Sequence, residues 1–302
     1  MNQINALIFL TFDCLVIYMI RLLKDFKRRM LLGITRGRLF ILRVLLGGYV
    51  DKVVVRSGNS QFVVSLADNG VGRTMMKLGA YSPEELEVLD KILSKTSKVL
   101  VVGAHVGGLA VPISDRCASV TCIEANPDTF ELLELNKKIN GADNITLYNF
   151  AAGEKKGELE FLLSTDNSGG SKRYPIDKQE MYFYDAPKVV SVPMRALDEE
   201  LPDDFDVVVM DIEGSEYFAL QGMQKIISRA QVLIIEFIPH HLKFVANIDV
   251  ETFLEPISKH FERLEIPSQG RSVESGEFLD LLSEMYREGL YDNGIVFSKI
   301  KD

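Results

Sequence analysis

Apolar residues along this chain fall into short blocks set between longer, interrupted ones. Val99-Leu100-Val101-Val102, Val120-Thr121-Cys122-Ile123, Val207-Val208-Val209-Met210 and Val232-Leu233-Ile234-Ile235 are too short for helices and rich in β-branched residues. They predict buried strands. Helices are predicted between them. Ser82-Pro83-Glu84-Glu85 reads as an N-cap, a first-turn proline and a capping-box glutamate, with the helix running to about Ser94. Asn126-Pro127-Asp128 opens a helix carrying Phe130, Leu132, Leu133 and Leu135, and another begins near Ser215. Val53-Val54-Val55 and residues 61–66 flank Ser57-Gly58-Asn59-Ser60, a hairpin signal. Further strands are expected at residues 145–150, near 261–266 and near 294–298, with a helix near 277–287 between the last two. Strands alternating with helices predict a mostly parallel sheet covered on both faces.

The connection after the first core strand carries the chemistry. Residues 98–102 break into Gly103-Ala104-His105-Val106-Gly107-Gly108 before the apolar pattern resumes. A strand that ends in small residues and opens into a helix lets a ligand approach the backbone and meet helix N–H groups. The next strand ends in Glu124, about twenty residues on, where a carboxylate accepts ribose hydroxyls. Together they describe a nucleoside-cofactor site. The third loop position is His105 rather than glycine, which excludes the dinucleotide fingerprint. No Gly-Lys-Ser/Thr follows, which excludes the Walker loop. A G-x-x-x-G loop with a ribose-binding acid suits S-adenosylmethionine, which has no phosphate to cradle.

Acids stand at the ends of several strands: Glu124, Asp211 and Glu236, with Glu213 two residues past Asp211. Carboxylates held in different surroundings are able to divide proton transfer and substrate anchoring between them. Asp211, Glu213 and Glu236 also leave a divalent-metal reading open, although no cysteine or histidine spacing supports zinc and no metal is expected. A polar excursion over about 159–193, with Ser168-Gly169-Gly170-Ser171, either covers the ligand crevice or forms a solvated hairpin.

The chain has 302 residues, 47% hydrophobic and 25% charged, room for one large α/β domain with additions. Cys14, Cys117 and Cys122 are odd in number and read as reduced thiols in a cytoplasmic setting. The net charge of −9 divides into +7 over residues 1–60 and −16 over the rest. A basic segment on an acidic body excludes a nucleic-acid partner and fits an anionic membrane surface. Residues 4–20 are almost wholly apolar and are followed by Arg21, Lys24, Lys27, Arg28 and Arg29. Asp13 in that run costs roughly 2.5–3.5 kcal/mol on insertion. The expectation is membrane attachment through residues 1–47, spanning or interfacial, with the catalytic body cytoplasmic. Residues 48–97 then form a hairpin and helix covering the core, and residues 98–302 the main domain.

In these motifs the chain resembles the FkbM-type methyltransferases. Val102-Gly103-Ala104-His105-Val106-Gly107, Ile123-Glu124-Ala125-Asn126-Pro127, Val192-Pro193-Met194-Arg195-Ala196-Leu197-Asp198, Met210-Asp211-Ile212-Glu213-Gly214-Ser215-Glu216 and Ile234-Ile235-Glu236 carry the likeness, with Gly222 beyond them. The resemblance covers roughly residues 80–300. It implies a Rossmann-like class I fold with a mostly parallel seven-stranded sheet, and S-adenosylmethionine-dependent O-methylation of a sugar, glycolipid or secondary-metabolite hydroxyl. The cofactor set it points to is Gly103, Ala104, His105, Gly107, Glu124, Ala125, Asn126, Ala151, Ala152 and Asp211. Asp211, Glu213 and His240 are the candidate catalytic groups. The acceptor is a small molecule or a glycan or lipid-linked hydroxyl, and a second copy of the chain stays open as a partner. Two positions depart from the family, which has an acid where Val101 stands and asparagine where His105 stands. The lost acid leaves the amino acid end of the cofactor to His105 or Glu213. The alternative is a catalytically silent protein serving binding or assembly.

Overall fold

A computed structural model describes residues 37, 41, 42 and 44–299. The chain divides into two compact units, Met1–Asp51 and Lys52–Asp302. In the first, residues 41, 42 and 44–46 are helical, with Ile41, Val44 and Leu45 exposed. The apolar run 4–20, its basic flank and Cys14 lie outside the described residues. Among the described residues no helix is long and apolar enough to cross a membrane. The longest, Pro127–Ile139, has 13 residues, against about 20 for a span. This corrects the expectation of a membrane-attached protein with a cytoplasmic catalytic body.

The second unit begins with the antiparallel hairpin β1 (Lys52–Ser57) and β2 (Ser60–Ser65), whose turn places Gly58 at φ 57°. The helices α1 (Val71–Leu78) and α2 (Pro83–Ile92) follow. Ser82 has φ 42° and caps nothing with its side chain, so the capping-box expectation fails while the helix forms. Then come β3 (Lys98–Val102), α3 (Ala110–Ser114), β4 (Ser119–Ile123), α4 (Pro127–Ile139) and β5 (Ile145–Tyr148). Asn126 does cap α4, its side-chain oxygen accepting from the N–H groups of Asp128 and Thr129.

The excursion is ordered. β6 (Ala151–Ala152), β7 (Gly157–Leu163), β8 (Lys172–Arg173) and β9 (Lys188–Arg195) form a separate sheet in the order β6-β9-β7-β8. After α5 (Leu197–Glu200), the chain continues through β10 (Val207–Met210), α6 (Glu216–Gln221), α7 (Gln224–Arg229) and β11 (Val232–Phe237). It closes with α8 (Val250–Leu254), β12 (Arg263–Ile266), β13 (Arg271–Glu274), α9 (Phe278–Glu288) and β14 (Asp292–Ser298).

The main sheet has eight strands in the order β13-β12-β14-β11-β10-β3-β4-β5. β11, β10, β3, β4 and β5 run parallel, whereas β14, β12 and β13 pair antiparallel. The seven-stranded, mostly parallel expectation is therefore corrected to a mixed eight-stranded sheet. The added strand, Arg271-Ser272-Val273-Glu274, is a short polar edge hairpin with β12, without the apolar run that marks a core strand. Alternation along each strand feeds two cores. Val99, Val101, Val207 and Val209 face the hairpin and α1 to α4, whereas Leu100, Val102, Val208 and Met210 face α6 to α9.

Candidate active site

The carboxyl ends of β3, β4 and β10 open into one cleft enclosing about 920 Å³, part of it open to solvent. Tyr81 and Glu85 close it from the start of α2, and Leu159, Phe161, Ser168 and Ser171 close it from the excursion. At its floor Gly103 has φ 89°, and a Cβ there would overlap the carbonyl oxygen of Asp211. Only glycine lets the β3 loop lie this close to the end of β10.

At the β3–β4 end, the loop is tied to its neighbouring strand. The N–H groups of Gly103 and Ala104 both donate to the carbonyl of Ile123, at 2.9 and 3.0 Å. Glu124 accepts from the His105 N–H at one oxygen and from the Asn126 N–H at the other, both at 2.7 Å. Burial pushes its carboxyl up to about 7, against the opposing pull of those N–H groups. His105 itself sits at φ 51°. Its Nε2 lies 2.8 Å from Ser168 Oγ, which donates to Asp68 Oδ2 at 2.7 Å. Asp68 also accepts from the N–H groups of Gly70 and Gly72 at the start of α1. Since Ser168 gives its proton to Asp68, it accepts from His105, so the proton of the neutral ring is on Nε2. Burial pulls His105 down to about 4, which keeps it neutral. Its Nδ1 is then a buried lone pair without a hydrogen-bond partner among the described residues.

The β10–β11 end is built from carboxylates. Glu213 and Gly214 take φ 56° and 100° in succession, and the Ile212 N–H donates to Glu216 Oε1 at 3.0 Å. This turn brings Glu213 back over the strand end. Glu236 lies where the β11–β14 register shifts, between Ile235 and Phe237, an irregularity that re-aims a side chain. Oxygens of Asp211, Glu213 and Glu236 fall within 4.8 Å of one another. Lys172, from β8, reaches Glu213 Oε2 at 2.6 Å and His241 Nε2 at 3.2 Å, and His241 Nδ1 lies 3.1 Å from Glu236 Oε2. Burial, then repulsion from neighbouring carboxylates, raises the carboxyls of both Asp211 and Glu236 well above the usual range. Burial and then the Lys172 charge lower His241 to about 2. Asp211 has no side-chain hydrogen bond among the described residues and lines the cleft.

Of the expected residues, Gly103, Ala104, His105, Glu124, Ala125, Ala151, Ala152, Asp211 and Glu213 line the cleft. Gly107 and Asn126 do not. Gly107, at φ 88°, lies against Leu133 and Val111, and Asn126 supports Glu124 and caps α4. His240 stands outside the lining, its Nδ1 2.9 Å from the Tyr182 hydroxyl. Sequence reading passed over Lys172, Asp68 and Tyr81, since no local pattern marks any of the three as part of a site. It read Glu85 as a cap, whereas the structure places it in the cleft, raised by burial to about 7. His241, not His240, joins the acidic cluster.

Residues 102–287 match the methyltransferase FkbM domain. Among solved structures, the chain is similar to a methyltransferase FkbM from Methylobacillus flagellatus KT at 18% identity, over 68% of this chain and 44% of that one, with a TM-score of 0.40. It is similar to a putative transferase from Pyrococcus horikoshii at 17% identity, over 71% and 63%, with a TM-score of 0.40. It is also similar to M. jannaschii TYW2 in complex with AdoMet at 14% identity, over 83% and 87%, with a TM-score of 0.43. The chain thus spans less than two thirds of the length of the first two. At these scores none of the three likenesses bears on the substrate or the mechanism of this chain. No curated protein matches the chain.

Proposed function

Because that match takes in more than half of its residues, the chain belongs to the methyltransferase FkbM family, and on that premise we propose that it binds S-adenosylmethionine in the cleft and methylates a hydroxyl. The observation that carries the reading is the pair of carboxylates facing one cleft from the ends of β4 and β10, the two strands that flank β3, Glu124 fixed by two backbone N–H groups and Asp211 by none.

The residues fit the cofactor. Each Glu124 oxygen uses one lone pair on an N–H and keeps another for a ribose hydroxyl. Phe150, Ala151 and Ala152 give an apolar wall for a flat base. His105 Nδ1 offers a buried acceptor to a donor on the cofactor. When bound, S-adenosylmethionine supplies an electrophilic sulfonium methyl. Asp211 takes the proton of the acceptor hydroxyl, since a carboxylate raised by burial is a stronger base than a solvated one. Glu213, committed to Lys172, orients the acceptor. A sugar or secondary-metabolite hydroxyl is the acceptor class proposed.

Calorimetric titration of S-adenosylhomocysteine into the full chain, beside Glu124→Ala, tests the reading. Binding that the substitution abolishes supports it. Val101, buried in β3 where the resemblance leads one to expect an acid, favours a catalytically silent protein, and a wild type that binds no S-adenosylhomocysteine would make that the better reading.

A further inference from the structure

Three carboxylates within 4.8 Å of one another, one buried and two half-buried, form an arrangement that attracts a divalent cation, because crowded like charges need a counter-ion. Here a counter-ion is already built in. We propose that Lys172 is the resident cation of the Asp211–Glu213–Glu236 cluster, so that this end of the cleft works without a divalent metal.

The ammonium is delivered by the fold. Lys172 belongs to β8, where its neighbouring strand fixes it opposite Leu162, and it is 7% exposed. Its Nζ lies 5.0 Å from the centre of the Tyr182 ring. Of its three N–H groups, one is placed on Glu213 and one on His241. His241 is neutral, with Nδ1–H donating to Glu236 and the Nε2 lone pair receiving the lysine proton. Glu213, Lys172, His241 and Glu236 therefore form one hydrogen-bonded chain. A metal ion entering the cluster would have to break that chain and face the lysine charge at close range. Asp211 is left as the one cluster carboxylate without a bridge, and it is the one free to face an acceptor. Lys172 is thus a positioning residue that acts through Glu213 and His241. The inference deepens the methyl-transfer reading of this site and rests on it for its functional meaning.

The test follows the electron paramagnetic resonance signal of free Mn2+ titrated into the full chain. Wild type is expected to leave the ion free. Lys172→Met, which keeps the volume and removes the charge, is expected to take up one Mn2+ at least tenfold more tightly than wild type, and Lys172→Met/Asp211→Asn to lose that gain. Lys172→Arg is expected to behave as wild type. A wild-type site for Mn2+ that Asp211→Asn removes would overturn the proposal. So would a Lys172→Met chain that Mn2+ neither binds nor raises in melting temperature, whether or not that chain folds without the ion. S-Adenosylhomocysteine binding is read separately by calorimetry, so failure of the methyl-transfer reading and failure of this one appear in different experiments.

Discussion

The two ends of the cleft meet the same problem, a carboxylate buried at a strand end, in opposite ways. Glu124 is satisfied by N–H groups of its own neighbourhood, those of Asn126 two residues on and His105 across the adjoining strand. Glu213 and Glu236 rely instead on side chains brought from elsewhere, Lys172 from β8 and His241 from beyond β11, and Asp211 beside them is left unbridged. The first solution pre-forms a binding group that costs little to organise. The second holds the carboxyls of Asp211 and Glu236 well above the usual range and leaves Asp211 without a bonded partner, which suits chemistry better than binding.

Substitutions at the two ends should give opposite results. The largest effect is expected for Glu124→Ala, which removes two charge-assisted bonds to a ribose. S-Adenosylhomocysteine affinity should fall about 100-fold by calorimetry, and a change below about fivefold would detach Glu124 from binding. Asp211→Asn should do the reverse, lowering methyl-transfer turnover about 100-fold while the dissociation constant for S-adenosylhomocysteine moves by less than about threefold. Equal losses in both would place Asp211 at the cofactor and collapse the distinction.

Stability separates the ends next. Lys172→Met strips Glu213 of its buried partner and should cost about 3 kcal/mol in urea unfolding, more than Lys172→Arg. A smaller effect concerns pH. The folded Glu124 carboxyl titrates at about 7, and ribose hydroxyls donate to its ionised form. Affinity for S-adenosylhomocysteine should rise about tenfold from pH 6 to pH 8 and lose that slope in Glu124→Gln. Stability should run the other way. Glu85, Glu124 and Glu216 all have folded values raised to about 7, so the native state holds protons that the unfolded chain releases. Their contribution is full below the unfolded carboxylate value and is lost as pH rises through about 7. His105, lowered to about 4, gains stability with pH only up to the unfolded histidine value near 6.5. The melting temperature should therefore fall between pH 6.5 and 8, less steeply in Glu124→Gln. The smallest effect is expected for His240→Ala, which lies outside the cleft lining and should leave affinity within about twofold.

The same contrast governs what was legible beforehand. The Gly103 loop, the strand ending in Glu124 and the Asn126 cap are local, so a strand period, a glycine and a capping residue declare them within a few positions. The hairpin at Gly58 and the helix Phe278–Glu288 were readable for the same reason. β13 was not, because four polar-alternating residues at a sheet edge have no apolar run to announce them. Nor was the role of Lys172, a lysine in a polar loop, or the choice of His241 over His240, which depends on the helical turn after β11.

Local sequence was enough for the parallel core strands and their helices, the glycine that lets β3 meet β10, and the carboxylates at three strand ends. Each follows from short-range sterics and apolar periodicity. Tertiary structure alone decided that the excursion folds into a second sheet, that Lys172 lands among three acids, and that His105 is locked by Ser168 and Asp68. The last two are contacts between residues 41 to 100 positions apart, and no local pattern encodes a partner at that range.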